Sequence, residues 1–471
     1  MSFVVDQQRL ARAIPKAIRE LCEQIHDSGF GVWCVGGAVR DVILSQARDS
    51  SELPNGDWDI ASSATPDQIS RIFRKVIPSG IEHGTVTVLW RDREVEVTTL
   101  RGECGYVDGR HPTQVVFLNS IDDDLARRDF TINAIAYDPI HDDIVDPHGG
   151  VADIQARCIR AVGDPLARFS EDGLRVLRAA RFSATLDMQV DSDTLAAIRP
   201  SLDSFRKVSM ERVRDEWTKS LKARQPSRAF GIIHDHGLLH ITAPELAQTQ
   251  GCAQNRYHRF DVWEHTLRTL DRIPPNSLVL RLAALLHDIG KPSVRAVHPQ
   301  TGDNTFYGHE IIGANMADAL MRRLRFSNDL RDQVTALVRH HIVAYESNWT
   351  DAAVRRWTNR VGPQRVSDIL ELARADVAAK GQDAAQQIQD LAELDCRIKS
   401  AIESNHALCL KDLRITGSTL IEELNLLPGP IIGKLLRALL EDVLEVPEHN
   451  ERERLLGRAR ELFESQTCGT K

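Results

Sequence analysis

Along the first part of the chain, apolar residues recur in short runs with a period of two. The stretches GVWCVGG, GTVTVLW, EVEVTTL, TQVVFL and INAIAYD predict strands set among helical segments. In REVEVTTLR the alternation is strict, so Glu94 and Glu96 share one face while Val95 and Val97 share the other. After Gly163 the strand pattern almost vanishes and apolar residues fall at helical spacing. The expected fold class is therefore α+β: a head with a small mixed or antiparallel sheet, followed by helical segments. Four segments are expected: a head over 1–160, an Arg-rich helical neck over 161–250, a His-rich helical segment over 251–395 and a helical tail over 396–471. The polar stretch from Gln248 to Asn255 and the Pro274-Pro275 pair read as linkers.

A length of 471 residues suits two to four domains, and 42% hydrophobic with 27% charged residues suits a soluble protein with a full core. No run of about 18 apolar residues is present, which excludes a helical membrane span. The first residues lack the apolar core and cleavage site of a signal peptide. The eight cysteines are scattered with no C-x-x-C pair, which argues against a zinc ribbon or disulfide framework and for the reducing cytoplasm. The net charge of −8 weighs against nucleic-acid binding, although local patches rather than the sum decide that question. Nothing in the sequence sets an oligomeric state.

The candidate chemistry begins at GVWCVGGAVRDVIL, where a strand runs into Gly36-Gly37 and a helix follows. Glycines let the backbone approach a phosphate, and the helix N-terminus offers unpaired N–H groups; Arg40 lies one turn in. An ordinary tight turn has the same pattern. In NGDWDIASS, Asp57 and Asp59 are one residue apart and point the same way on a strand. Two such carboxylates repel unless a cation lies between them, and hard oxygen ligands suit Mg2+. Glu96 offers a third carboxylate, whereas Glu94 reads as water-facing. A solvated acidic loop is the alternative for the aspartates.

Gly36-Gly37, Asp57-x-Asp59 and Glu96 together resemble the nucleotidyltransferase superfamily seen in DNA polymerase β. RRDFTINAIAYD (127–138), DPHGG (146–150) and EDGLRVLRAARF (171–182) narrow the resemblance to the class II CCA-adding tRNA nucleotidyltransferases and bacterial poly(A) polymerases, over about residues 31–240. The resemblance implies a polymerase-β-like head. It implies that Asp57, Asp59 and Glu96 bind two Mg2+ ions for attack of an RNA 3′-hydroxyl on a nucleotide α-phosphate. Arg128, Asp129 and Asn133 match the motif that reads the ribose; Asp129 as a helix cap is the plainer reading. Asp172 and Arg175, three apart on a helix, match the pair that reads the base edge. Asp accepts and Arg donates, an arrangement that fits cytosine and adenine and leaves uracil and guanine unpaired. Arg178, one turn on, braces the base. RGECGYVDGRHPTQVVF resembles the family's flexible loop, with Asp108 and Arg110 implicated in the switch from CTP to ATP.

His265, His287, Asp288 and Asp376 have the order of the HD phosphohydrolase superfamily, and His and carboxylate sets suit transition metals such as Mn, Ni or Fe, with Mg also open. The resemblance implies one metal site, with His309 and His340 extending it to a second metal. A degenerate domain kept for structure is the alternative. LLPGPIIGKLLRALLEDVLE resembles the tail of HD-bearing CCA enzymes. Gly429-Pro430 and Gly433 open a helix whose N–H groups are candidates for an RNA phosphate, and Leu435, Leu436, Leu439 and Leu440 form an apolar stripe. The implied function is addition of C, C and A to a tRNA 3′ end from CTP and ATP. A-only or poly(A) addition, or an HD phosphohydrolase with a nucleotide- or RNA-binding head, are the alternatives.

Overall fold

The alternating runs become strands because each buries one face. In the computed structural model, which describes residues 5–48, 50, 56–80, 84–106, 112–117, 120–381, 384–404 and 408–468, the head holds nine strands. They are β1 (Val32–Val35), β2 (Asp59–Ser62), β3 (Val76–Gly80), β4 (Thr85–Trp90), β5 (Arg93–Thr99), β6 (Arg101–Tyr106), β7 (Pro112–Phe117), β8 (Ala136–Asp138) and β9 (Asp143–Val145). Seven form one mixed sheet in the order β3-β4-β5-β2-β1-β8-β9. The β2–β5 pair is parallel, and the other neighbours are antiparallel. Val95 and Val97 are buried while Glu94 and Glu96 are exposed, as the period of two requires.

In the segment expected to be a flexible loop after β5, the described residues form a two-stranded ribbon, with β6 and β7 paired antiparallel from Arg101↔Phe117 to Tyr106↔Pro112. Asp108 and Arg110 lie outside the described residues.

The chain divides into two compact units, Met1–Thr242 and Ala243–Lys471. The strands beyond β9 are two residues long, so the rest of both units is helical. In the first unit, Val35, Ala61, Leu125, Ala134, Ala136 and Val162 form a core beneath the sheet. The second unit packs the helix Leu278–Leu286 against Val262–Arg272, Asn328–His340 and Val366–Ala379. Pro274-Pro275 is a turn between two of these helices rather than a linker, and Arg281 donates to the carbonyls of Ile273 and Pro274 there. The tail stripe is core: Leu435, Leu439 and Leu440 are buried, Leu436 packs against them, and Gly429 precedes the helix Pro430–Glu445.

Candidate functional site

The sheet register sets the head carboxylates. β2 starts at Asp59, antiparallel to β1 with Val35↔Asp59 and parallel to β5 with Ile60↔Val97. Ile60 and Val97 point into the core, so Asp59 and Glu96 turn to the opposite, exposed side, with Asp57 two residues before. Partial withdrawal from water and then the charge of Glu96 push the Asp59 carboxyl above its ordinary value, with Asp57 adding to the effect and Arg128 opposing it. The like-charge share of that shift, from Glu96 and Asp57, is what a cation would relieve.

Beside Asp59, β1 ends and Gly36 (φ 79°) caps the helix Gly37–Ala47. Only glycine takes this backbone without strain, and a Cβ there would stand 3.3 Å from Asp59 Oδ2. The helix N-terminus opens onto a cavity of about 460 Å³ that is also lined by Arg40, Arg128, Asp129, Asn133, Asp172, Arg175 and Arg178. Seven arginines and three aspartates line it, so this cleft is strongly cationic although the chain carries −8 overall. Asp57 and Glu96 lie outside this lining.

Within the cleft, the polar groups are tied together. Arg40 Nη1 donates to Asn133 Oδ1 (2.7 Å), Asn133 Nδ2 donates to Asp129 Oδ1 (3.0 Å), and Arg178 Nε donates to Asp129 Oδ2 (2.6 Å). Against burial, which would raise it, Arg178 and Asn133 hold the Asp129 carboxyl down at about 2. Asp129 caps no helix: the short 3-10 turn Thr131–Asn133 is preceded by Phe130 and lacks a side-chain cap. Arg40, Arg178 and Arg181 gather over the Phe182 ring, Arg181 at 3.9 Å from its centroid.

Asp172 and Arg175 are both in the cleft but do not share a helix. Asp172 ends the helix Pro165–Glu171, and Arg175 starts the helix Arg175–Thr185. The two side chains do not bond each other and have other partners. Asp172 accepts two bonds from Arg212, at 3.1 and 2.7 Å, and Arg175 donates to Glu171 Oε2 (2.5 Å) and to the carbonyls of Arg168 and Arg127. The break at Gly173 turns both side chains toward one cavity.

In the second unit, His265 sits on the helix Val262–Arg272, His287 and Asp288 follow Leu278–Leu286, His309 opens His309–Arg323, and Asp376 lies on Val366–Ala379. Gly290 allows this convergence, since a Cβ there would fall 2.4 Å from the His309 carbonyl. His265 Nε2 lies 2.8 Å from Asp376 Oδ1 and 3.7 Å from Asp288 Oδ2. His287 Nε2 is 3.1 Å from Asp288 Oδ2, and His309 Nε2 is 3.3 Å from Asp288 Oδ1. Lys291 donates to Asp288 Oδ2 at 2.7 Å. Burial opposes ionisation of Asp288, yet His287 and Lys291 hold its carboxyl well below the usual range. His287 Nε2 and Asp288 Oδ1 are buried without a hydrogen bond of ordinary geometry, which fits a site made for an ion.

The other expected ligand, His340, is not part of this cluster. Its neighbours are Arg360, Arg339 and Arg365, which with burial push its imidazole pKa down. His341 takes the place, 3.3 Å from His309 Nε2 and 3.8 Å from Asp288 Oδ1. The helical phase explains the exchange. Val334, Leu337 and Val338 are buried, and i+3 from Val338 is His341.

Three family models match this chain: "Poly A polymerase head domain" over residues 32–160, "Probable RNA and SrmB- binding site of polymerase A" over 187–249 and "tRNA nucleotidyltransferase domain 2 putative" over 311–459. A CCA-adding enzyme of Lactiplantibacillus plantarum is 30% identical over 451 residues, covering 96% of this chain and 97% of its own length. The chain belongs to the family of CCA-adding enzymes. The CCA-adding enzyme of Pediococcus pentosaceus is 32% identical over 94% of this chain. The crystal structure of the Bacillus stearothermophilus CCA-adding enzyme in complex with CTP is 27% identical, covers 96% of this chain and 98% of its own, and superposes with a TM-score of 0.69. As a member of this family, the chain is a nucleotidyltransferase whose polymerase-β-like head and helical remainder match the expected fold. Sequence reasoning missed Arg212, which lies in ERVRDEW forty residues from its partner, and Lys291, which stands one turn after Asp288.

Proposed function

We propose that the chain adds C, C and A to the 3′ end of tRNA, taking CTP and ATP without a nucleic-acid template. The observation that carries this reading is the cationic cleft at the end of β1 and the start of β2, in a chain similar over nearly its whole length to CCA-adding enzymes. Asp57, Asp59 and Glu96 would hold Mg2+, which supplies charge neutralisation at the phosphates and activation of the attacking hydroxyl. The amides of the Gly37–Ala47 helix N-terminus and Arg40 bind the triphosphate. Asp129 and Asn133, held by Arg178 and Arg40, read the ribose.

Base choice falls to Asp172 and Arg175. Arg212 fixes the plane of the Asp172 carboxylate, which accepts about four bonds and keeps capacity for a base amino group. Arg175, fixed by Glu171 and two carbonyls, presents its guanidinium edge beside it. Cytosine and adenine both offer a donor beside an acceptor, whereas uracil and guanine reverse the order and leave buried groups unpaired.

The test is incubation of the purified chain with tRNA lacking its CCA end, labelled nucleotide and Mg2+. Addition of two C and one A, then arrest, supports the reading. Long tails from ATP alone would move the assignment to poly(A) addition, and no incorporation would sink both. The free thiols of Cys22, Cys34, Cys158, Cys252, Cys396 and Cys409 suit the cytoplasm as its place of work.

The histidine cluster supports a second, HD-type activity, a metal-dependent phosphohydrolase. His265, His287, Asp288 and Asp376 would hold one ion, and Asp288, His309 and His341 a second. The cluster floors a cavity of about 620 Å³, with Lys291 and Lys380 on its wall as phosphate partners. Phosphate release from a simple phosphomonoester in the presence of Mn2+, Ni2+ or Mg2+, lost in Asp376→Ala, tests it; release that persists in the variant removes the assignment.

A further inference from the structure

One imidazole at the histidine cluster has no place in the four-residue HD pattern. His258 lies on the loop before the helix Val262–Arg272, and one of its ring nitrogens falls within 4.8 Å of ligand atoms of both His265 and Asp376. Its Nδ1 is committed to Asn255 Oδ1 at 2.9 Å, which leaves Nε2 for the cluster. The same arrangement recurs at three other members. His287, His309 and His341 each tie Nδ1 to a carbonyl, of Ala284, Phe306 and Val338, at 2.7 to 2.8 Å. A second partner on the far nitrogen is how proteins fix the tautomer and aim of a metal-binding imidazole.

The loop is held where His258 needs it. The Arg259 N–H donates to the Lys380 carbonyl at 3.0 Å, which ties the loop to the end of the helix carrying Asp376. Phe260 packs on Gly381, where a Cβ would meet its ring at 2.5 Å, and Arg268 lies 3.8 Å over the same ring. The ring of His258 stands perpendicular to that of His265, centroids 5.2 Å apart. His258 lines the open cavity, whereas His265 and His287 do not.

We infer that His258 is a further metal ligand, binding the ion held by His265 and Asp376 from the side that faces the cavity. Three imidazoles and two carboxylates then surround that ion, a set that favours a borderline divalent transition metal over Mg2+. This inference rests on the metal-binding reading of the cluster.

Co2+ alone is the probe, titrated into the metal-free full-length chain and followed by its visible d–d bands and by metal content. His258→Ala and the less disruptive His258→Gln are compared with His265→Ala and with His340→Ala, whose side chain lies outside the cluster. Thermal melting of each metal-free variant reports folding. The expectation is that both His258 variants melt like the parent, bind Co2+ about 10- to 100-fold more weakly and shift the d–d bands. His265→Ala loses that site, and His340→Ala matches the parent. Parental affinity and spectrum in His258→Gln overturn the role of His258 alone, since loss of the site in His265→Ala still shows that the cluster binds the metal. Absence of Co2+ binding by the parent overturns the metal reading of the whole cluster.

Discussion

The head carboxylates stand exposed on or just before the neighbouring strands β2 and β5, and water can reach them; the candidate ligands of the second unit are imidazoles and aspartates that touch one another, buried except for the half-buried Asp376. Among the described residues, every group of three donors with ligand atoms within 4.8 Å of one another lies in the second unit. Asp57, Asp59 and Glu96 stand wider apart. The difference follows from charge. Asp59 and Glu96 repel with only Arg128 opposing, and two neighbouring β-strands hold them at a spacing set by the sheet. In the histidine cluster, imidazoles and Lys291 offset Asp288 and Asp376, so the donors pack close together. Under the proposed function, the open carboxylate set suits an ion that arrives with a nucleotide and leaves with pyrophosphate, whereas the closed set suits a resident ion.

Substitution separates the two plans. Asp59→Ala is expected to cut nucleotide addition at least about a thousandfold, because the charge it supplies acts in the transition state. It should barely change folding, because an exposed carboxylate under like-charge pressure contributes no net stability; single-turnover addition and urea unfolding check both halves. Asp288→Ala reverses this profile. It leaves Lys291 and His287 buried without their counter-ion and should destabilise the second unit by about 3–5 kcal/mol, read by urea unfolding of the metal-free chain. If the second unit melts unchanged, its packing does not depend on the buried charges.

A pH titration sharpens the contrast from the head side. The Asp129 carboxyl is held at about 2 against an ordinary 3.8, so its pairing contributes roughly 2 kcal/mol. A depressed carboxyl stabilises the fold above its unfolded pKa. The contribution should therefore be complete above about pH 4 and lost as pH falls toward 2. Asp129→Asn should flatten that limb of the stability curve; an unaltered acid limb would show that Asp129 is not the group responsible. The smallest effect concerns Arg212→Ala. It removes no proposed base-reading group but frees the Asp172 carboxylate that we propose reads the base, so discrimination of CTP and ATP against UTP and GTP should fall about tenfold. Competition between nucleotides measures it, and unchanged selectivity would mean that Asp172 needs no brace.

Much of the head was legible because its signals are local. The period of two in REVEVTTL places Glu96 outward, and the pairing of Ile60 with Val97 only confirms which strand lies beside it. Gly36-Gly37 announces a backbone turn that side chains would block. Other features were lost for a physical reason. The link between Asp172 and Arg212 spans forty residues, and no periodicity connects a helix end to a later helix. Asp172 and Arg175 have helical spacing, yet the chain breaks at Gly173, where a Cβ would meet the Ser204 carbonyl at 2.4 Å. The choice of His341 over His340 was within reach, since helical phase from Val334, Leu337 and Val338 selects it. His258 was not, because a loop has no phase.

The sequence by itself determined the fold class, the family and the chemical character of both candidate ligand sets, because strand alternation, helical spacing and residue type are properties of neighbours along the chain. The tertiary structure decided which ligand groups meet. Whether a carboxylate faces an arginine, an imidazole or another carboxylate depends on how distant elements pack, and that packing is fixed by burial of apolar faces rather than by the polar residues they carry into place.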